Sequence, residues 1–458
     1  MRESQYFLDY ISGSALMGKE DLTIASAFRI RNSNGDTQAS EEYHNGGLMS
    51  SIALRRLGHR VHILERSQTP LLHDQGAGIV FGDYTRAFFD LYDRTNTIVS
   101  VTSRERLYLD RAGNVISRKA SVQQMTSWDL LYHVLRANFD GLRSDYVREI
   151  PEGVLEGAVR GDAAYHHGVL VTGVRDTGSG VEISWKSNLS GEEAETLTKL
   201  LIADNVIIAD GSSSTMRAIL TPSSATRTYA GYVAFRGTVS ESMLSSFSLA
   251  TFREKFVFYH AAHIQILAYL IPGRNGSTRE GERLVNWVWY WNVEQGSDEF
   301  RWIFTDRRGK LHRFTLPPGD DMDPQVWGRQ RRRARMLLPP QFAELVERTE
   351  RPFAQAITDL PPPADGPAWY LENDGAVMVG DAVAGFRPHT AGSTGQAAHH
   401  ALMLPNVRGV FDGDGHLTRD AYSDEVRLHA VSMQRLGVEL GQRSQFGGAS
   451  LNTLGGII

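Results

Sequence analysis

A helix followed by a strand at 46–65, two later apolar strands that each end in an aspartate-led loop (Asp210 and Asp381), and a block of strand-like segments between those loops predict an α/β protein. The expected architecture is a Rossmann-like domain with an inserted antiparallel-sheet domain and C-terminal helices. The 458 residues exceed one ordinary domain of ~150 residues about threefold, which leaves room for both units. Apolar residues make up 41% and charged residues 22%, a globular balance, and no run approaches the ~20 apolar residues of a membrane span. With 48 Lys+Arg against 53 Asp+Glu the formal charge is -5, so no global positive field exists to hold nucleic acid. There is no cysteine, which excludes disulfides, thiolate nucleophiles and iron–sulfur clusters, so redox chemistry would need a bound cofactor. The opening MRESQYFLDY is not a secretory signal, and a cytoplasmic location is expected. The glycosylation-type triplets at Asn188 and Asn275 are then chance matches.

Taken in order, residues 1–45 are polar and show no helical or strand period, and no apolar strand is expected there. In GGLMSSIALRRLGHRVHILER, Leu48, Ile52 and Leu57 share a helix face before Gly58, and Val61, Ile63 and Leu64 form a strand ending at Glu65. Ser127 is a candidate cap for a helix through Phe139. Strands are expected at 168–174, 180–185 and 200–209, and an antiparallel sheet from YAGYVAFRG, FVFYH, HIQILAYLI and VNWVWYWNV over 229–300. Helix is expected at 323–350, a buried strand at 376–380, helix in the second half of DAVAGFRPHTAGSTGQAAHHALML and again at 419–443, and a loose tail after that.

Glu65 lies 18 residues after Gly47, at the end of the second strand of a βαβ unit, where a carboxylate can accept from ribose hydroxyls. Asp210 and Gly211 follow an apolar strand in a tight turn, and Asp381 opens a Gly-, Thr- and Ser-rich loop that leads into a helix N-terminus. Each signal alone is weak, and together they point to a dinucleotide site.

With these junctions the chain resembles the single-component flavin monooxygenases of the para-hydroxybenzoate hydroxylase type (class A), particularly the fungal and dihydroxypyridine-hydroxylase-like branch. The resemblance spans about 46–447 and rests on ALRRLGHRVHILER, QGAGI, TSWDLLYHVLRANFDGLRSDY, IIADGSSSTMR, YAGYVAFRGTV, AYLIPG, NWVWYW, GDAVAGFRPHTAGSTGQAA and GVELGQRSQFG. It implies a Rossmann-like FAD-binding domain in which Gly47 is the third fingerprint glycine and Glu65, with Arg66 beside it, meets the FAD ribose. It further implies that Gln75 to Gly78 line a mobile flavin loop and that Asp210 and Gly211 serve FAD and NAD(P)H. Asp381 would meet the ribityl–pyrophosphate region, and Pro388 to Gly395, Thr394 included, would run along the isoalloxazine edge. The implied division is an atypical segment at 1–45, FAD-binding parts at 46–225 and 351–405, a substrate domain at 226–350 and a helical tail at 406–458.

The chain departs from the family where G-x-G-x-x-G should stand, because Glu42 and His44 fill the first two glycine positions. A carboxylate there repels a pyrophosphate, and a Cβ blocks close backbone approach. Either residues 1–45 stand in place of the true first strand, or FAD is bound poorly. Trp128 where relatives carry arginine, Ala384 in the GDAAH position and Pro405 in the following helix are lesser departures.

Trp287, Trp289 and Trp291 recur with period two and form either an aromatic wall for a planar substrate or a packed sheet core, with Tyr290 between them. His260 and His263 lack a third metal ligand, so no metal is expected, and Arg329 to Arg335 read as a solvated helix face. The function implied is FAD- and NAD(P)H-dependent hydroxylation of a phenolic or heteroaromatic small molecule by molecular oxygen through a C4a-hydroperoxyflavin, in a setting such as secondary metabolism. Tyr232, His389 and Tyr290 are candidates for ionising the phenol, and Arg387 for holding an anion. A flavin oxidase or dehydrogenase on the same fold, and a flavin-free binding or scaffold relative, remain the alternatives.

Overall fold

The computed structural model describes residues 21–26, 44–69, 71, 78–154, 163–188, 198–224, 226–316, 321–363, 368–371, 373–410 and 415–447. Gln75, Glu42 and the tail beyond 447 lie outside these.

One sheet is parallel and central. Its strand β1 (Asp21–Ser26) lies between β2 (Arg60–Glu65) and β10 (Asn205–Ile208), with β6 (Ala163–His166) beyond β2 and β18 (Ala376–Met378) beyond β10. The two-residue β17 (Trp369–Tyr370) closes that edge antiparallel. The expectation of no strand before Gly46 is thus corrected. DLTIAS is short and flanked by polar sequence, so no window shows a period, yet it has apolar neighbours on both sides of the sheet. Residues 27–43 separate it from α1 (His44–Arg56), whose Leu48, Met49 and Ile52 are buried. Helix α3 (Trp128–Asp140) begins at the expected cap, where Ser127 Oγ accepts from Leu130 N. It packs on α1 and is buried over nearly its whole length.

The second sheet has nine strands in the order β15 (Thr315–Leu316), β16 (Phe353–Asp359), β11 (Thr228–Ser240), β14 (Leu284–Asn292), β13 (Ile264–Ile271), β12 (Lys255–Ala261), β4 (Val101–Leu109), β5 (Val115–Ser127) and β3 (Gly78–Val80). Only the β12–β4 pairing is parallel. The expected antiparallel block therefore recruits β3, β4 and β5 from the chain before residue 226 and β16 from after 350, across the boundaries that the sequence suggested. Such long-range pairing leaves no local signal. A third sheet, β7 (Val169–Asp176), β8 (Val181–Ser187) and β9 (Lys199–Ala203), is antiparallel. The single strand expected at 200–209 is two strands in different sheets, divided at Asp204.

Helices α2 (Asp83–Tyr92), α4 (Thr215–Leu220), α5 (Ser246–Phe252) and α6 (Asp298–Phe304) fill the connections. The helix expected at 323–350 is α7 (Pro324–Leu337) and α8 (Pro340–Arg348), broken at Leu338–Pro339 because proline disfavours helical geometry in the residue before it. Helix α9 (Ser393–Met403) stops before Pro405, and α10 (Arg419–Gln445) packs Tyr422 against Trp369 of β17 and crosses β13 and β14 of the nine-stranded sheet. Two apolar cores result, one around the parallel sheet and one around the nine-stranded sheet. Among the described residues no helix is long and apolar enough to cross a membrane.

Candidate active site

The carboxyl ends of β10 and β18 meet the starts of α1 and α9 in a narrow cleft lined by Asn45, Gly46, Gly211, Gly380, Asp381 and Thr394. Gly380 has φ +58°, a left-handed conformation suited to glycine, and a Cβ built on it would lie 4.0 Å from the Gly46 Cα. Gly46, one residue before the expected Gly47, lines the cleft, where a Cβ would meet Ala397 Cβ at 3.5 Å and Gly380 Cα at 3.9 Å. Gly47 sits inside α1, where its carbonyl accepts from Ser51 Oγ.

His400 Nδ1 accepts from Gly380 N at 2.9 Å and so holds the turn into Asp381. The ring is buried, and burial followed by the charges of His399 and His429 keeps it neutral, with a pKa well below the histidine range. Asp381 Oδ1 accepts from Gln396 Nε2 at 3.3 Å. The same loop is fastened from the other side by Arg217, whose guanidinium donates to the carbonyls of Ala382, Val383 and Ser224.

Asp210 is buried at the end of β10, and its Oδ1 has no hydrogen-bond partner among the described residues. Its Oδ2 accepts from Thr215 N at 2.9 Å and Met216 N at 3.1 Å, and so caps α4. Burial raises its pKa to about 6 against those hydrogen bonds. Gly211, in contrast, reaches the cleft. Glu65 stands at the end of β2 as expected, buried, with Oε1 accepting from Ser67 N at 2.8 Å. Arg66 is half-buried and lines neither the cleft nor the neighbouring cavity.

Next to the cleft, a cavity of about 290 Å³ opens between the nine-stranded sheet, β3, the loop 387–394 and α10. Strand register builds its wall. Arg236, Val288, Leu267, Phe258 and Tyr108 pair in one row across five strands, and Tyr290, Gln265 and His260 follow in the next. Side chains alternate across a strand, so Trp287 and Trp289 point to the opposite face. Trp287 Nε1 donates to Thr349 Oγ1 at 2.9 Å and its ring stacks on Trp327 of α7, while Trp291 lies under Arg333. The tryptophan row is helix-packed core, which corrects the substrate-wall reading of Trp287 and Trp289. Tyr290 alone of that group lines the cavity.

Three further expected residues converge here. Tyr232 Oη lies 3.0 Å from His389 Nε2, His389 stacks on Tyr290 with centroids 4.2 Å apart, and the Arg387 guanidinium sits 5.7 Å from the Tyr232 ring centroid. Arg387 donates twice to Asp359, at 2.8 and 2.6 Å. Burial, then the Arg387 charge, pushes His389 down to about 3, so its ring is neutral, and burial pushes Tyr232 well above the usual phenol range. Tyr232 is held as the neutral phenol and so does not serve as a resident anionic base. What the pair offers is a hydrogen-bonded hydroxyl and neutral imidazole that can pass a proton.

Pro388 and Thr394 line the cavity, as does Gly78, whose N–H donates to Asn286 Oδ1 at 3.0 Å. The sequence reading missed Arg106, Arg236, Phe256, Phe258 and Tyr269, which share the wall, and Asp359. Period-two patterning marks strands 12 to 14 but not which face is inside, because β13 is buried throughout.

Helix α10 crosses over this group at Gly441. A Cβ there would fall 2.4 Å from Tyr232 Oη and 2.7 Å from Arg387 Nη1, so only glycine fits without displacement. Gly441→Ala is expected to lower stability by about 1–3 kcal/mol through overpacking and to slow turnover by moving the hydroxyl. Urea unfolding and steady-state rates measure both, and a variant with unchanged kcat would refute the contact.

A family profile described as FAD binding domain-like matches residues 229–359. A 2,6-dihydroxypyridine 3-monooxygenase of Paenarthrobacter nicotinovorans is 27% identical over 362 residues, covering 79% of this chain and 80% of that protein. The solved structure of 2,6-dihydroxypyridine-3-hydroxylase from Arthrobacter nicotinovorans superposes with a TM-score of 0.71 at 22% identity, covering 94% of each chain. A salicylate hydroxylase in complex with its substrate matches with a TM-score of 0.61 at 14% identity, over 95% of this chain and 91% of the other. The fold, with its C-terminal helices, is the one these proteins share.

Proposed function

We propose that this chain, a homologue of the FAD-dependent aromatic hydroxylases, is itself a flavin monooxygenase that uses FAD, NAD(P)H and molecular oxygen to hydroxylate a small phenolic or heteroaromatic molecule. The observation that carries the proposal is the placement of the aromatic-walled cavity beside the Gly380–Asp381 cleft, the two sharing Ser393 and Thr394, with Arg387 and His389 in the cavity lining and Tyr232 3.0 Å from His389. A cytoplasmic, cysteine-free protein acting on a small molecule rather than on nucleic acid is part of the same proposal.

The cleft suits FAD in its polar groups. Helices α1 and α9 begin at the cleft with first-turn N–H groups that have no intrahelical acceptor, buried Asn45 Oδ1 has no protein partner among the described residues, and Glu65, at the end of β2 outside the cleft lining, offers a buried acceptor for a ribose diol. FAD, when bound, takes electrons from NAD(P)H and activates oxygen for transfer to an electron-rich ring. The residues of the chain do the rest. Tyr290, Phe258 and Tyr108 flank a planar ring, and the β-sheet wall and α10 exclude water. Tyr232 and His389 move the phenolic proton away from the reacting ring through the 3.0 Å contact; burial keeps both neutral, and the Arg387 charge reinforces this at His389 while easing ionisation of Tyr232.

Glu65→Gln is expected to weaken FAD binding about 10–100-fold, the value of a charge-assisted hydrogen bond, as read by titration of flavin fluorescence. Equal affinity would remove Glu65 from the cofactor site. The proposal as a whole is tested by supplying NAD(P)H, ¹⁸O₂ and a panel of phenols and hydroxypyridines. One labelled oxygen in the product supports a monooxygenase, whereas oxidation without label indicates an oxidase or dehydrogenase.

A further inference from the structure

The last helical carbonyl of α10, that of Gln445, is held from outside the helix by two side chains that stand apart from the cavity lining. His263 Nδ1 donates to it at 2.7 Å and Asn292 Nδ2 at 2.9 Å. A carbonyl can only accept, so the contact fixes the His263 proton on Nδ1. Helices end with carbonyls that have no intrahelical donor, and α10 meets that need twice. Gln442 O takes the N–H groups of Phe446 and Gly447, and Gln445 O takes the two side chains. Because Ala261 pairs with Ile264, Ala262 and His263 form the turn between β12 and β13, and His263 has φ +61°. Glycine takes that left-handed conformation freely, whereas a Cβ is strained in it, so the turn alone gives no reason for an imidazole there. Asn292 is the register partner of Tyr232, and Ile264 pairs with Trp291, so both donors leave the end of the sheet that carries Tyr232. The turn of α10 that they fasten is the one that meets the site. Leu440, Arg443 and Ser444 line the cavity, Gly441 abuts Tyr232 Oη, and the Phe446 ring centroid lies 6.0 Å from that of Tyr232.

We infer that His263 and Asn292 are positioning residues for Tyr232: by clasping the Gln445 carbonyl they hold the last turn of α10 against the Tyr232 hydroxyl and so keep its 3.0 Å contact with His389. The clasp stands on this geometry alone, while its effect on turnover rests on the monooxygenase reading. Both residues act only through the helix. Their loss therefore loosens a proton-transfer contact without removing any group that meets a ligand in the cavity.

The test combines hydrogen exchange, read by mass spectrometry over residues 440–447 of the full chain supplied with FAD, with steady-state kinetics on phenols and hydroxypyridines. His263→Gly relieves the strained turn but removes the ring, and Asn292→Ala removes the other donor. Each is expected to speed exchange of the 441–446 amides about 3–10-fold, and the two together about 10–100-fold, the worth of one and of two neutral hydrogen bonds. In the double variant kcat should fall about tenfold or more with KM changed less than threefold. Asparagine carries a donor at the same distance along the side chain as Nδ1 and tolerates the left-handed backbone, so His263→Asn should return exchange and kcat to within about twofold of wild type. If His263→Gly exchanges no faster than wild type, the imidazole is only a turn residue and the clasp is refuted. Faster exchange with unchanged kcat, or no rescue by His263→Asn, makes the contact structural and overturns the positioning role. Should the double variant not fold, the single variants decide. Wild-type protein with protected 441–446 amides and no turnover sinks the monooxygenase reading alone, and exchange with the His263→Asn rescue then decides the clasp.

Discussion

Arg387→Ala is expected to cost about 3 kcal/mol of stability and to stop turnover. The guanidinium is buried and donates two hydrogen bonds to Asp359, itself only one-fifth exposed, so its removal leaves a carboxylate stranded at the end of β16. Breaking one partner of such a pair costs about 3–5 kcal/mol, and the partial exposure of Asp359 argues for the lower end. Burial alone would make the guanidinium easier to deprotonate, but the bonds to Asp359 and the charge of the nearby groups outweigh it and raise its pKa. Urea denaturation measures the loss. The paired variant Arg387→Met with Asp359→Leu should recover most of the stability but none of the activity, since the cation beside Tyr232 and His389 is still missing. A single variant that loses under about 1 kcal/mol would mean that the pair is solvated and plays no structural part.

Tyr232→Phe is expected to lower kcat by about 100-fold or more with KM changed less than threefold, the pattern of a lost proton-transfer group rather than a lost binding contact. The ring stays packed against Tyr290 and Phe446, so stability should fall by no more than about 1 kcal/mol for the single hydrogen bond. The pH profile adds a second check. His389 is held down to about 3, so its ring is neutral above that value and gains a proton only as pH falls through it. The Tyr232–His389 pair therefore contributes no titration between pH 5 and 8. A histidine-like inflection in that range that disappears in His389→Gln would contradict the environment described for this ring.

The legible part of this protein was what local chemistry writes into short windows. Ser127 as a cap, Glu65 at a strand end, the Pro405 stop and the Gly-rich start of α9 were all readable because capping, chain termination and phosphate-type turns depend on a few adjacent residues. Tyr232, His389 and Arg387 are candidates from the sequence, but their convergence is not legible there, since 157 residues separate the first two. The parts that were not legible depend on sheet register. Val288 and Tyr290 face the cavity while Trp287 and Trp289 face α7 and α8, and a strand buried on both faces carries no polar alternation to tell those sides apart. Strand β1 escaped notice for the related reason that six residues in a polar context are held by neighbours far along the chain. Asp210 shows the limit of motif reasoning, because the aspartate-glycine pair gives no sign that Oδ2 caps the start of α4.

The central claim is that the cleft at Gly46, Gly380 and Asp381 holds FAD although Glu42 and His44 replace two fingerprint glycines. The visible absorption spectrum of the purified chain, after FAD is added and excess is removed by gel filtration, tests it most directly. A flavin spectrum near one equivalent per chain is the result predicted. Well-folded protein that elutes with no flavin would contradict the account and leave a flavin-free binding protein on this fold.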